Sequence, residues 1–254
     1  YYGVFLAIRP NEANRVNTGR ETFILPVDWS GTFPVFKGGL EPIQPKLAMP
    51  QGVKNETGKN GYFPNGNFTF TETFTGSSLD YRWVGVRGAR EGFISTTAEG
   101  LTITPYETSI KAVLPTSTLF YRQQHLNFTA TTTLKYVPRT EKDLAGITCY
   151  QSEKFNYVFG VTKKAEDSYI VLQRTEKGES STIASEKIEG NTPISLRVTA
   201  EGDKYTFSYS VKHKNSQTEA GTVSGDILST NVAGGFTGAM IGLYATTSND
   251  AEAL

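Results

Sequence analysis

The chain has 254 residues, of which 25 are basic and 25 acidic, so its formal net charge at pH 7 is zero. That balance removes the electrostatic case for nucleic acid or an anionic membrane surface, and no apolar run approaches the roughly 20 residues that cross a bilayer as a helix. A single cysteine, Cys149, excludes an internal disulfide framework and a cysteine zinc site, and His125 and His213 stand far apart without metal-ligand spacing.

Fifteen Phe and thirteen Tyr against two Met, with abundant Thr, give a β-rich composition. The chain begins inside a strand-like run, Tyr1-Tyr2-Gly3-Val4-Phe5-Leu6-Ala7-Ile8, with no initiator Met and no charged lead. A strand needs a neighbour, and none precedes this one, so the expectation is a fragment whose upstream part is missing. A polar turn, Arg9-Pro10-Asn11-Glu12-Ala13-Asn14, follows. Two or three short β segments within 19–36 complete a first block, residues 1–45, that has too few strands to enclose a core alone. Residues 46–66 are rich in Gly, Pro, Asn and Lys and read as a linker.

From residue 67 onward strand patterns recur without a convincing amphipathic helix. Leu126, Phe128, Ala130, Leu134 and Tyr136 alternate with Asn127, Thr129, Thr131 and Lys135, which predicts one buried and one wet face. Tyr157, Phe159 and Val161 alternate likewise, as do Ile194, Leu196 and Val198, and Tyr205, Phe207, Tyr209 and Val211. Turn signals such as Glu176-Lys177-Gly178-Glu179 and Glu201-Gly202-Asp203 separate them. The fold class is therefore all-β, an antiparallel two-sheet β-sandwich over 67–254. The strand ending at Tyr244 would normally pair with another, so a last strand is expected to be absent.

No residue pattern marks an active site. There is no Gly-x-Ser-x-Gly and no His beside a plausible nucleophile. His125 reads as a structural histidine, His213 as an exposed turn residue between two lysines, and Cys149 as a buried thiol in a strand. Asp203, Asp226 and Asp250 could serve calcium, but no ligand spacing supports a site, so the cofactor expectation is none. The triplets Asn55-Glu56-Thr57, Asn67-Phe68-Thr69 and Asn127-Phe128-Thr129 are no more than chance provides in a Ser/Thr-rich chain. One stretch stands apart, Gly234-Gly235-Phe236-Thr237-Gly238-Ala239, where glycines loosen a loop that launches the apolar run to Tyr244. Phe236 in that loop either packs on its own domain or is presented to something beyond the sheet.

Several stretches together resemble one family. Gly19-Arg20-Glu21-Thr22-Phe23-Ile24-Leu25-Pro26-Val27-Asp28-Trp29 is similar to the segment closing the catalytic propeller of glycoside hydrolase family 43 β-xylosidases and α-L-arabinofuranosidases. Arg122-Gln123-Gln124-His125, the Gly234–Ala239 stretch, and Phe74 through Leu79-Asp80-Tyr81-Arg82-Trp83 with Arg87 and Arg90 resemble the concanavalin-like sandwich attached to that propeller. The resemblance implies that residues 1–45 are the remnant of a last propeller blade and that the missing N-terminal propeller is a partner. It also implies inverting hydrolysis of xylo- or arabino-oligosaccharides from plant hemicellulose. The family's catalytic carboxylates lie on earlier blades, and no position here matches their motifs.

Arg20 resembles an arginine that reaches the sugar subsite, since a guanidinium donates several hydrogen bonds without titrating. Its alternative is a blade-closing ion pair with Glu21 or a neighbour. Phe236 resembles an aromatic that the sandwich sends toward the catalytic pocket, narrowing it and excluding water. The competing reading of the whole chain is a stand-alone carbohydrate-binding module, and a third is a structural partner that shields the propeller's edge. Assembly as a homo-oligomer is left open, and a secreted or periplasmic setting is favoured.

Overall fold

The computed structural model describes residues 1–38, 41–44, 46–48, 50–53, 66–189, 193–211 and 217–248. Among them the architecture is the expected one, with the named strands paired antiparallel and only short helical turns. No helix among the described residues is long and apolar enough to cross a membrane. Contacts divide the chain into two units, residues 1–8 with 20–72 and residues 9–19 with 73–254.

In the first unit β1 (Tyr2–Ile8) pairs antiparallel with β2 (Arg20–Asp28), Tyr2 opposite Pro26 and Ile8 opposite Arg20. The neighbour for the opening strand thus comes from later in the chain. β3 (Val35–Phe36) adds to the other side of β2, which leaves β1 at an edge. Phe5 packs on Phe23 and Phe36 with ring centroids 6.4 and 5.1 Å apart. Gly3 permits this, because a Cβ there would run into the Phe36 ring. The opposite face presents Tyr2, Val4, Leu6, Ile8 and Ile24, each 45–67% exposed. Such a contiguous apolar face is uncommon on a free surface. Most of the expected linker 46–66, with Asn55-Glu56-Thr57, lies outside the described residues.

The second unit contains the remaining elements. They are β4 (Ile94–Thr97), β5 (Gly100–Ile103), β6 (Ser117–Arg122), β7 (Asn127–Leu134), β8 (Leu144–Ser152) and β9 (Phe155–Lys164). After these come β10 (Asp167–Glu176), β11 (Glu179–Lys187), β12 (Ile194–Glu201), β13 (Lys204–Val211), β14 (Thr218–Ser224), α1 (Thr230–Ala233) and β15 (Met240–Thr246). One sheet runs β11-β10-β9-β8-β15-β6 and the other β14-β13-β12-β7, while β4 and β5 form a small hairpin. Between the two large sheets lies one core, with Cys149, Tyr157, Phe159, Ile170 and Leu172 from the first and Leu196, Val198, Tyr205 and Phe207 from the second. Phe159 meets Phe207 edge-on at 5.5 Å, a favoured aromatic arrangement.

β7 and β12 show the single-sided burial that their alternation predicts. β9 does not, because it is buried on both faces up to Thr162. The outer face of its sheet carries a second core of Ile110, Phe120, Tyr150, Val158 and Tyr244. The segment ahead of β6 reaches this layer through Ile110 and Val86. Backbone bridges from Val84 to Phe120 and from Tyr106 to Thr246 fasten it. The Ile110 amide also donates to the Tyr244 hydroxyl at 2.8 Å. β15 corrects a second expectation. The strand ending the apolar run is not short of a partner, since β8 and β6 flank it on both sides.

A polar turn starts the covering segment. Arg82 donates from Nε to Asp80 Oδ1 at 2.7 Å and from Nη2 to Oδ2 at 2.9 Å, and its amide donates to Oδ1 at 2.9 Å. Arg90 donates to the carbonyls of Leu79, Asp80 and Trp83. Trp83 is thereby held between Phe74 and Tyr121, 5.2 and 5.4 Å away. The Arg82 hydrogen bonds lower Asp80 from 3.8 to about 2. A depressed folded pKa contributes stability above the unfolded value that is lost as pH falls through the folded one. Asp80→Asn should therefore destabilise by less than about 1 kcal/mol, as expected of a partly exposed pair. In melting curves taken at several pH values, the gap from wild type should close as pH falls from 3.8 to about 2.

Candidate functional site

The stretch around Phe236 takes its form from a strap of chain whose first part, 9–14, the sequence shows as a polar turn. Residues 9–19 lie against the sandwich, with Val16, Asn17 and Thr18 buried to 3% exposure or less. Buried backbone must find partners. The strap finds them one after another. Asn231 Oδ1 accepts from the Val16 amide, the Val16 carbonyl from Thr230, and the Asn17 carbonyl from Ala239 at 2.8 Å. The Thr18 carbonyl accepts from Arg122 Nη2 at 2.8 Å, and Gly19 bridges to Thr237. Asn17 Nδ2 donates to the Gly225 carbonyl, and Arg15 pairs with Asp226 at 2.8 Å.

The glycines of the 234–238 stretch do different jobs. Gly234 and Gly235 have φ of 79° and 73°, left-handed values that a Cβ resists, and both face open space. Gly238 instead gives room, because a Cβ there would strike the Thr18 backbone, and one on Gly19 would strike Gly238. Phe236 sits between the two kinds and is 61% exposed. Of its two readings, presentation fits that exposure better than burial in its own domain. Gln151 Nε2 steadies the loop by donating to the Thr237 carbonyl at 2.9 Å.

The second stretch singled out in the sequence serves the same strap. Gln123 is 2% exposed; its amide donates to the Ala239 carbonyl, its Nε2 to the His125 carbonyl, and its Oε1 accepts from the Tyr205 hydroxyl at 2.9 Å. Arg9 Nη2 donates to the Gln124 carbonyl. The strap residues Val16, Asn17 and Thr18 escaped sequence reading. Their one signal was an apolar residue followed by an amide and a hydroxyl inside an otherwise exposed turn.

Arg20 begins β2 in the first unit and is exposed, on the face that carries Thr22 and Ile24. Glu21, its neighbour along the strand, points to the opposite face. Arg20 and Phe236 belong to different units.

The electrostatics do not resemble an acid–base site. Among the described residues the carboxyls of Asp28, Asp80, Glu91 and Glu153 are lowered, whereas a general acid must be raised. The Ser30 amide lowers Asp28, and partial burial of Glu153 is outweighed by Arg87 and the backbone. Tyr205, Tyr157 and Cys149 are pushed up by burial, which keeps them neutral. Asp226 is engaged by Arg15, Asp250 and His213 lie outside the described residues, and no metal-holding acidic or His/Cys group occurs among those described. Asn127 Oδ1 accepts from the Gly202 amide, which gives that residue a structural role.

Comparison with known proteins bears on this geometry. Residues 71–253 match the family described as the β-xylosidase C-terminal concanavalin A-like domain. A non-reducing end α-L-arabinofuranosidase of Bacteroides ovatus is 26% identical over 99% of this chain and 46% of its own length. A xylosidase/arabinosidase of Butyrivibrio fibrisolvens is 27% identical over 98% and 47%. Among solved structures, a family GH43_12 protein retrieved from a capybara gut metagenome is 48% identical, with a TM-score of 0.88 over 97% of this chain and 47% of that one. The chain thus spans about half the length of the relatives it matches.

The steric reading of the glycines is open to direct test. Gly238→Ala should lower stability by about 1–3 kcal/mol, the range for forcing atoms into a packed site. Gly235→Ala should cost only the left-handed penalty of about 1–2 kcal/mol and leave the strap in place. Hydrogen exchange at the Ala239 amide, bonded to Asn17, should speed up in the first variant and not in the second.

Proposed function

Since this chain belongs to the family of β-xylosidase C-terminal concanavalin A-like domains, we propose that it works as the C-terminal portion of a glycosidase acting on xylosides or arabinofuranosides of plant hemicellulose. The observation that carries the reading is the 48% identity to a family GH43 structure across nearly the whole chain. The names of the B. ovatus and B. fibrisolvens relatives supply the sugar class.

In this reading the reaction centre lies on an N-terminal propeller, and the described carboxylates supply neither acid nor base. Support comes from the first unit, where β1 leaves an open edge and the Tyr2–Ile8 face leaves apolar side chains exposed. Further blades would cover both by strand pairing and apolar burial. Arg20 would donate to sugar hydroxyls, a task suited to a planar fork of donors that stays charged at every working pH. Phe236 would place a ring against a sugar face or across the pocket mouth, displacing water from the site of hydrolysis. The strap and Gln151 hold the base of its loop, so the ring is offered without first being ordered.

In the complete enzyme, Phe236→Ala should lower kcat/KM on short xylosides or arabinofuranosides roughly five- to tenfold. That matches the loss of one aromatic contact worth about 1 kcal/mol. The melting temperature should stay within a degree or two, because the ring is largely exposed. Unchanged kinetics would reduce Phe236 to packing. A complete enzyme inactive on both sugar classes would overturn the assignment itself.

A further inference from the structure

The outer face of the four-stranded sheet has no role in that proposal. It is paved with hydroxyls in rows across the strands. Thr129, Thr199, Thr206 and Thr222 align in one row. Thr133, Ser195 and Ser210 align in another. Between them runs Thr131, Arg197, Ser208 and Glu219. Strand geometry repeats these positions about every 4.8 Å across the sheet and about 6.8 Å along it. Hydroxyl pairs such as Thr129–Thr199 at 3.3 Å and Thr206–Thr222 at 2.9 Å are ordinary cross-strand stabilisation. A solvated face of this kind needs no further explanation on its own.

Arg197 does need one. It stands on β12, an interior strand, with Thr131 on one side and Ser208 on the other, and it is half-buried. Its Nε is buried without a hydrogen-bond partner. The carboxylate in its own row, Glu219, lies two strands away, and its Oε1 accepts from the Thr222 hydroxyl at 2.9 Å. No ion pair joins Arg197 to an acid among the described residues. Burying a donor of a guanidinium without an acceptor is costly, and an anion held by the accessible end of the same charged group offsets part of that cost.

The surroundings narrow the anion. A phosphate site normally gathers several cations, and here there is one central guanidinium. A peptide carboxylate would want apolar pockets beside it, and the neighbours are hydroxyls. A sugar acid combines one planar carboxylate, which an arginine fork matches, with ring hydroxyls that Thr and Ser can both donate to and accept from. We propose that this face binds a uronate-bearing polysaccharide, with Arg197 on the carboxylate and the flanking Thr131, Thr199, Ser195 and Ser208 hydroxyls on the sugar ring. The proposal draws on the hemicellulase reading only in choosing glucuronoxylan as the polymer.

The test is affinity electrophoresis of the intact protein in gels containing glucuronoxylan, the same polymer with its carboxyl groups reduced, or neutral arabinoxylan. Retardation should be about tenfold stronger in native than in reduced glucuronoxylan, as expected of a charge-assisted pair. Arg197→Gln should abolish that difference, and Arg197→Lys should keep part of it. Thr131→Glu provides a second route, since a carboxylate beside Arg197 from an exposed position should occupy the guanidinium and abolish the difference as well. Equal mobility in native and reduced polymer, or an undiminished difference in both Arg197→Gln and Thr131→Glu, would overturn the proposal. Hydrolysis of xylosides and arabinofuranosides, assayed separately, should be unaffected in these variants. Failure of hydrolysis in the wild type would count against the glycosidase reading and leave the binding result standing.

Discussion

The approach of two glycines, Gly19 and Gly238, sets the form of the candidate site. Neither position has space for a single further carbon, because each faces the other's backbone or that of Thr18. This closeness lets the Asn17 carbonyl take the Ala239 amide and lets Gly19 bridge to Thr237. The strap therefore behaves as part of the sandwich, although strands of the other unit flank it in the chain. Arg122, Gln124, Asn231 and Asp226 all spend hydrogen bonds or charge on holding it. Phe236 emerges one residue from that anchored bridge on two left-handed glycines, which turn the chain outward.

The two faces of each sheet have different fates. The inner faces close on each other through Phe159, Tyr157 and Phe207. The six-stranded sheet is covered on its outer side too, by the layer around Ile110 and Tyr244, and this makes β9 apolar on both faces. The outer face of the four-stranded sheet is left to rows of hydroxyls with charged residues among them, Arg197 at the centre. In the first unit the uncovered face is apolar, running from Tyr2 to Ile8. Coverage, polarity and residual exposure thus distinguish surfaces that strand pattern alone treats alike.

Charge follows the same division of labour. Arginines are used as fasteners: Arg82 on Asp80, Arg90 on three carbonyls, Arg122 on Thr18 and Arg15 on Asp226. Their planar forks serve carbonyl and carboxylate alike, and Arg82 draws the Asp80 carboxyl down to about 2. A scaffold wired in this way is suited to positioning a loop.

The sequence alone determined the all-β class, the buried position of Cys149, the one-sided burial of β7 and β12, and the loop character of Gly234–Gly238. Each depends on local periodicity or on backbone freedom, which a short window of residues expresses. The same window made residues 9–14 a turn, β9 a one-sided strand and β15 a strand short of a neighbour. Tertiary structure decided these otherwise, because distant segments supply the partners: Ala239 for Asn17, Ile110 for the outer face and β6 for β15. Whether Gly238 is needed for its φ or for its missing Cβ could also be settled only there. A sequence records what each residue can do, while steric room depends on which backbone folding brings within reach.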